Sequence, residues 1–433
     1  MRTLLLCRQA VTGLRASLAI TILLIGLQTA VAEDWPQFHG ARRDNRSAGT
    51  GLLKSWPESG PDLVWRADAL GHGFASVAIV DGVIYTTGDL EKATVITAMD
   101  LSGKQIWQRK NGPAYRGSHP GTRSTPTLAD GKLYNLSGTG NLICINAKTG
   151  STIWAMNILE QFNGRTIQWG ISESPLIDGD KVICFPGGEE IGMVALDKET
   201  GQTVWTCTGV GDKPSYATAT IIDYQGLRQI VTMTSGSAIG VAADSGRLLW
   251  KYPHTVRYGA NCDTPLYHDG HIYLFGTYAY GATKLKLDVR GNECSVEKIW
   301  HTTELDNEHG GVMIVDEHLY GQADANHKQR HLACLEAQTG KTMWTARELA
   351  GRASATLSFA DGMLYIVSDQ GEVALVRPNP ERLEIVSQFE LPKDGQGEVR
   401  ARPVVCGGRL YIRHAEFLYA YDIRRKTPET EKR

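Results

Sequence analysis

The side chains best suited to ligand binding or catalysis recur at one position of a repeated pattern. When the repeats are aligned on their prolines, or on the equivalent residue, the position three residues earlier forms an entry column of Phe74, Arg123, Ser172, Tyr216, Cys262, His309, Ser354 and Arg400. With charged neighbours, the candidate ligand-binding residues are Arg123, Glu173, Asp263, Glu308, His309, Arg352, Arg400 and Arg402. Because converging arginines can hold a carboxylate or phosphate through paired hydrogen bonds, the column predicts an anion site.

These charges leave two interpretations open. They can bind an anion and shift one another's pKa. Alternatively, Glu173, Asp263 and Glu308 can neutralise the arginines, so that the channel mouth is simply polar and solvated. No catalytic residue is indicated, since the sequence contains no Gly-x-Ser-x-Gly, P-loop or His-Glu-x-x-His motif. No metal site is predicted either, because His72 and His119 are not spaced as a ligand pair.

A tryptophan repeat identifies the elements that must position the entry column. Seven of the ten tryptophans lie 42 to 51 residues apart: Trp65, Trp107, Trp154, Trp205, Trp250, Trp300 and Trp344. Residues 195–205 show the associated turn motif, Ala-x-Asp-x-x-Thr-Gly-x-x-x-Trp. An Asp-Gly pair lies upstream in most repeats, as at residues 81–82 and 130–131, and this pair between β-rich runs is a strong hairpin signal.

Each repeat therefore predicts a four-stranded antiparallel sheet of about 45 residues, the size of one propeller blade. Residues 61–423 accommodate eight such blades, so the fold class is all-β, an eight-bladed β-propeller. The unit that starts at Ala401 has only three strands, and we expect the N-terminal strand around Trp65 to close this last blade. The seven tryptophan rings are expected to dock between neighbouring blades. Trp35 lies outside the repeat and is expected to contribute less to stability.

The two ends of the chain are predicted to lie outside the propeller. Residues 1–32 combine three arginines, a 12-residue apolar run and a final Ala-Val-Ala, the pattern of a cleaved secretory signal peptide. An uncleaved membrane anchor is the alternative; a lipoprotein is not expected, because Cys7 precedes the apolar run. Residues 33–60 form an entry segment and residues 424–433 a disordered charged tail. The mature protein is expected to be periplasmic or secreted, with no transmembrane segment.

The composition excludes some classes of partner. With 45 Lys+Arg against 47 Asp+Glu, the net charge of −2 offers no basic excess for nucleic acid. The seven cysteines after the predicted signal are dispersed, with no Cys-x-x-Cys, which is typical of buried thiols rather than metal ligands. We expect a monomer with a protein partner or a small anionic ligand.

The run at residues 195–205 resembles the tryptophan-docking repeat of the pyrroloquinoline-quinone (PQQ)-like propellers. The opening Asp34-Trp-Pro-Gln-Phe-His-Gly-Ala-Arg-Arg-Asp-Asn45 resembles the entry segment of exported members of that family. The resemblance covers residues 34–423 and two branches share it: the quinoprotein alcohol dehydrogenases and the non-enzymatic outer-membrane assembly factor BamB. It implies the fold but leaves the activity open.

The two branches imply different functions. The dehydrogenase branch implies PQQ under vicinal cysteines, beside a calcium ion held by acidic and amide side chains. This sequence has no adjacent cysteines and no haem-binding Cys-x-x-Cys-His. The BamB branch implies a protein partner, although its lipid-anchoring cysteine is missing here. We therefore expect a non-catalytic, BamB-like binding or scaffold protein without a cofactor. A dehydrogenase using PQQ and calcium at the central channel is the alternative, and a hydrolase or lyase at the same channel is a third possibility.

Overall fold

The computed structural model describes residues 34–309, 311–323, 330–349 and 354–425. The predicted signal peptide lies outside these residues, as does most of the predicted tail. Almost all regular structure is β, and eight sheets form the blades of a propeller, as predicted. The helical elements are α1 (Ile158–Gln161), capped by the Asn157 side chain, and a single 3-10 turn at Arg257–Gly259. No helix within the described ranges is long and apolar enough to cross a membrane.

Two strands, β1 (Arg46–Ser47) and β2 (Asp62–Ala67), precede the first complete blade. Blades one to four follow in chain order, and within each blade the strands are arranged in sequence from the innermost to the outermost. Blade one comprises β3 (Ala78–Val80), β4 (Val83–Leu90), β5 (Ala93–Asp100) and β6 (Gln105–Pro113). Blade two comprises β7 (Thr127–Ala129), β8 (Lys132–Leu136), β9 (Asn141–Asn146) and β10 (Thr152–Asn157). Blade three comprises β11 (Leu176–Asp178), β12 (Lys181–Cys184), β13 (Ile191–Asp197) and β14 (Thr203–Thr208). Blade four comprises β15 (Thr220–Tyr224), β16 (Leu227–Met233), β17 (Ser237–Ala242) and β18 (Leu248–Pro253).

The remaining four blades continue the same pattern. Blade five comprises β19 (Leu266–His268), β20 (His271–Gly276), β21 (Gly281–Arg290) and β22 (Glu293–Thr302). Blade six comprises β23 (Met313–Val315), β24 (His318–Ala323), β25 (His331–Glu336) and β26 (Thr342–Ala346). Blade seven comprises β27 (Ala355–Ala360), β28 (Met363–Ser368), β29 (Glu372–Arg377) and β30 (Glu384–Glu390). Blade eight comprises β31 (Val404–Cys406), β32 (Arg409–His414), β33 (Phe417–Asp422) and the N-terminal β2.

The N-terminal strand closes the ring. Strand β2 pairs antiparallel with β33, and it places Leu63 opposite Tyr421 and Trp65 opposite Ala420. The predicted closure is therefore confirmed. It joins the two ends of the repeat array in one sheet and gives blade eight its fourth, outermost strand.

The Asp-Gly pairs form the tight hairpin turns that the sequence predicts. Asp81 and Gly82 adopt φ values of 51° and 74°, and Asp130 and Gly131 adopt 50° and 72°. Type I′ hairpin turns need positive φ at both central residues, which aspartate tolerates and glycine adopts at no steric cost. These turns link the innermost strand of a blade to its second strand.

The outer-strand aromatic rings stack on glycines of the following blade. The ring–glycine pairs within the described residues are Trp65/Gly103, Trp107/Gly150, Trp154/Gly201, Trp205/Gly246, Trp300/Gly340 and Phe389/Gly60. In each pair a Cβ atom on the glycine would lie within 3.0 Å of the ring, so only glycine fits. Trp344 donates from Nε1 to the carbonyl of Asn379 at 2.8 Å, and the five tryptophans that stack on glycines also donate to a backbone carbonyl. Trp250 differs: its Nε1 donates to Oε1 of Gln229 in its own blade, at 2.8 Å.

The entry segment threads the channel. Trp35 exchanges two backbone hydrogen bonds with Ile79 of blade one, and strand β1 lies parallel to β27 of blade seven. Between them, Arg43 donates to the carbonyls of Pro175 and Ala219, at the start of the innermost strands of blades three and four, both at 3.0 Å. Since the innermost strands line the channel of a propeller, a segment that contacts four of them must lie inside it.

The burial of Trp35 argues against the expectation that it contributes less to stability than the repeat tryptophans. Trp35 stands outside the tryptophan repeat, but its side chain is only 2% exposed. It packs with Ile79, Ile84 and Val404 in the core shared by blades one and eight. Trp35 is buried by tertiary contacts of a segment that does not repeat, so the repeat pattern could not predict its burial.

Candidate ligand-binding site at the channel axis

One cavity of about 190 Å³ collects most of the entry column. It is lined by Phe74, Arg123, Ser172, Tyr216, Cys262, His309 and Arg400, which are seven of the eight column residues. Because these residues come from seven different blades, the cavity must lie on the propeller axis, at the end where the innermost strands begin. The eighth column residue, Ser354, is buried outside the lining. We call this cavity the axial pocket.

The structure separates the predicted site residues into two groups. The axial pocket is lined by Arg123, Glu308, His309, Arg400 and Arg402, whereas Glu173 and Asp263 are withdrawn from it. Glu173 accepts a hydrogen bond from the Phe185 backbone N–H at 3.0 Å, and Asp263 faces a smaller cavity below. Arg352 lies outside the described residues. The lining therefore carries three guanidinium groups against the single carboxylate of Glu308.

The floor of the axial pocket comes from the entry segment. Phe38 lines the cavity, and the Arg402 guanidinium lies 5.1 Å from the centroid of its ring. Next to it, His39 is buried, and burial together with Arg402 and Arg43 holds its pKa well below the usual value. Phe38, packed against Arg402, thus forms the floor of the axial pocket.

Two of the arginines already have carboxylate partners. Arg402 donates to Oδ1 of Asp263 at 3.1 Å, and both side chains are buried. The Nε of Arg400 donates to Oε2 of Glu398 at 2.8 Å. Burial raises the pKa of Asp263 to about 6 despite the neighbouring Arg402, because the carboxylate is removed from water. These pairs hold both guanidinium groups in place.

His309 is held in one protonation state by its neighbours. Nη1 of Arg400 lies 3.4 Å from Nε2 of His309, and a guanidinium can only donate, so Nε2 must accept and the proton must sit on Nδ1. Burial and the charges of Arg400, Arg123 and Arg402 keep the pKa of His309 well below its usual value. The ring is therefore neutral, and Nδ1 has no hydrogen-bond partner among the residues that the structure describes.

Arg123 is the exception among the arginines. Its Nη1 and Nη2 donate to the backbone carbonyls of Gly121 and His119, at 2.8 and 2.5 Å. Its guanidinium lies 5.4 Å from the Phe74 ring centroid, which Arg400 also approaches at 5.7 Å. Within the described part of the chain, no carboxylate forms an ion pair with Arg123. Burial and the nearby Arg400 lower its pKa, but a guanidinium remains charged.

The acidic residues do not fit the calcium ion that the dehydrogenase resemblance implies. Calcium takes six to eight oxygen ligands. Among the residues that the structure describes, no three His, Cys, Asp or Glu side chains converge to hold a metal. Asp263 is already engaged by Arg402, and Glu173 is directed at a backbone amide. The arrangement of carboxylates near the axis therefore suits arginine side chains rather than a calcium ion.

Comparison with known proteins identifies the family. The family model described as outer membrane protein assembly factor BamB matches residues 91–346, more than half of the chain. The chain belongs to this family of PQQ-like propellers. BamB of Shewanella oneidensis is 24% identical over 286 residues, covering 62% of this chain and 67% of that protein.

The chain is also similar to quinone-dependent alcohol dehydrogenases. The dehydrogenase subunit of a quinone alcohol dehydrogenase from Komagataeibacter europaeus is 29% identical over 143 residues, covering 29% of this chain. This chain spans only 18% of the length of that subunit. The crystal structure of quinohemoprotein alcohol dehydrogenase from Comamonas testosteroni has a TM-score of 0.66 at 15% identity, covering 91% of this chain and 81% of that one. The similarity to the solved structure shows the fold alone.

Several residues of the axial pocket were not predicted from the sequence. Phe38, Trp169 and Tyr278 all line it, but they lie in the entry segment or in loops outside the aligned column. The only sequence signal for the loops is their aromatic content, as in Tyr278-Ala-Tyr280 between two strands of one blade. Phe38 belongs to the entry segment that resembles other members of the family, but that resemblance does not indicate where in the channel its side chain lies.

Proposed function

We propose that this protein is a non-catalytic binding module of the BamB type, and that its axial pocket receives an anionic group of its partner or ligand. The observation that carries the proposal is Arg123. It is a charged guanidinium in the wall of a cavity, and its hydrogen bonds to the described residues go to backbone carbonyls alone. Arginine can present a two-point fork to a carboxylate or phosphate.

The groups that a catalyst would need are unsuited to that role here. Burial and the nearby Glu308 carboxylate raise the pKa of the Cys262 thiol well above its usual value, so it stays protonated and is a poor nucleophile. His309 is a neutral ring that already accepts from Arg400, so it is poorly placed to take a proton from a substrate. Asp263 is buried in its pair with Arg402. We therefore favour binding over the dehydrogenase alternative.

We further propose that the protein works outside the cytoplasm. The support is the signal-like pattern of residues 1–32 together with membership of a family described as an outer-membrane assembly factor. A partner that is itself a protein is in keeping with that description.

The dehydrogenase alternative is tested by reconstitution. Residues 33–433 are incubated with PQQ and calcium, free quinone is removed, and both the bound-quinone absorbance and dye-linked oxidation of methanol and ethanol are measured. A quinoprotein alcohol dehydrogenase treated in parallel serves as the positive control. We expect no PQQ-dependent dye reduction. Alcohol oxidation that requires both PQQ and calcium would overturn the proposal.

A further inference from the structure

Four aromatic side chains form a continuous surface from the axial pocket to solvent. Trp169 lies 5.4 Å from Tyr216 and 6.0 Å from Tyr258, and Tyr258 lies 5.6 Å from Tyr278, measured between ring centroids. Trp169, Tyr216 and Tyr278 line the pocket, whereas Tyr258 is 55% exposed. We call Trp169, Tyr216, Tyr258 and Tyr278 the aromatic shelf. It begins beside the cavity that contains Arg123 and ends at the protein surface.

The backbone holds two of these rings in a costly conformation. Tyr258 and Tyr278 have φ values of 62° and 57°, in the left-handed region that bulky residues rarely adopt. Neighbouring contacts fix both loops: the Ala279 N–H donates to Oδ2 of Asp306 at 2.7 Å, and the Ser215 hydroxyl donates to the Gly259 carbonyl at 3.1 Å. Strain of this kind tends to occur at binding sites, where it positions side chains before the ligand arrives.

The hydroxyl groups of Tyr216 and Tyr278 remain neutral. Burial, followed by the charge of Glu308, raises the pKa of Tyr278 to about 12, and burial also raises the pKa of Tyr216. Tyr216 already accepts a hydrogen bond from the Trp169 backbone N–H at 3.3 Å. Tyr216 and Tyr278 therefore present uncharged rings beside Arg123, and the guanidinium of Arg257 lies 4.7 Å from the ring centroid of Tyr258.

We propose that the axial pocket and the aromatic shelf together bind the C-terminal end of a polypeptide. Its terminal carboxylate pairs with Arg123, and its last side chains lie on the shelf. This inference rests on the proposed binding function and names the partner class. Capture of a chain terminus by a few fixed donors is a recurring mode of peptide recognition.

A peptide and a small acid share the carboxylate that Arg123 would bind, and two further observations favour the peptide. Arg123 is the one guanidinium of the pocket without a carboxylate partner among the described residues, and it matches one carboxylate. The exposed Tyr258 can contribute only to a ligand that extends beyond the cavity. Aromatic and arginine side chains are also the types enriched in protein interfaces, where a few of them provide most of the binding energy.

The test uses labelled pentapeptides whose last two positions are varied over all residues, each made with a free C-terminal carboxylate and as the C-terminal amide. Fluorescence polarisation measures binding to residues 33–433. We expect some acid peptides to bind, and their amides to bind roughly 10-fold to 100-fold more weakly, since a charge-assisted pair is lost. Arg123→Met should reduce acid binding to the level of the amide. Tyr258→Ala should weaken peptide binding but leave the binding of benzoate unchanged.

Matched variants and outcomes separate this inference from the proposed function. Arg116→Met, in the same loop as Arg123 but outside the pocket lining, and Ile106→Ala, on an outer strand, should leave peptide affinity unchanged. Acid and amide peptides that bind equally, or a library in which nothing binds, would contradict the inference. If benzoate binds through Arg123 while the library does not, the pocket is an anion site and only the peptide assignment fails. If neither binds, both proposals fail.

Discussion

The guanidinium of Arg402 lies 3.1 Å from the carboxylate of Asp263, and the two side chains are only 6% and 2% exposed. Asp263 precedes the innermost strand of blade five, and Arg402 precedes that of blade eight. The pair therefore ties together blades that are not neighbours in the ring. It also fixes Arg402 against Phe38, the floor of the axial pocket.

We expect Asp263→Asn to destabilise the fold by roughly 3–5 kcal/mol, because it leaves a buried guanidinium without its counter-ion. Urea unfolding at neutral pH measures the change. The control is Asp394→Asn, which breaks the exposed pair with Arg66 and should change stability by about 1 kcal/mol or less. Equal effects of the two substitutions would show that the buried pair has no special role.

Glu173 gives a pH dependence with a definite sign. Burial raises its pKa to about 8, with the Phe185 N–H and the more distant Arg43 opposing the shift. The folded protein thus keeps a proton that the unfolded chain releases above about pH 4.5, and the stabilisation is lost as the pH rises through about 8. Between about pH 7 and pH 8.5, we expect wild type to lose about 1 kcal/mol more stability than Glu173→Gln. Urea titrations at both pH values check this, with the exposed Glu190→Gln as control; identical slopes for all three proteins would contradict it.

The docking of Trp205 on Gly246 predicts an effect of adding one methyl group. Gly246 has φ of +73°, and a Cβ there would lie 2.4 Å from the Trp205 ring. We expect Gly246→Ala to destabilise by an amount similar to Trp205→Ala, roughly 3–5 kcal/mol. Gly226→Ala in the same blade has φ of +81° with open space around its Cβ, so it isolates the backbone strain and should cost only about 1–2 kcal/mol. If both glycine variants lose the same stability in urea, the ring contact contributes nothing.

Closure by β2 predicts an asymmetry between the two ends of the chain. Deleting residues 33–67 removes the fourth strand of blade eight together with Trp35 and Arg43, whereas deleting residues 426–433 removes none of the described pairing. We expect a much lower melting temperature for the first deletion and little change for the second. Calorimetric scans of the two truncations should differ clearly, and equal melting temperatures would argue against closure by β2.

The repeat made the fold predictable, and the features that it could not predict have identifiable physical causes. Asp81-Gly82 and Trp205 with Gly246 belong to local patterns that a turn or a ring contact requires, so blade count and closure could be predicted. The entry column is one register position of the repeat, and seven of its residues meet at the axis. In contrast, the burial of Trp35 and the floor at Phe38 depend on where a non-repeating segment crosses the channel. The withdrawal of Glu173 from the pocket likewise depends on a local side-chain direction.

The most direct test of the account is calorimetric titration of small carboxylates, with benzoate and acetate as probes, into residues 33–433 and its Arg123→Met variant. We predict that wild type binds at least one of them. Arg123→Met should weaken that binding roughly 10-fold or more, because it removes a charge-assisted pair, while Arg116→Met leaves it unchanged. No binding by wild type, or equal binding by wild type and Arg123→Met, would contradict the assignment of the axial pocket as an anion site.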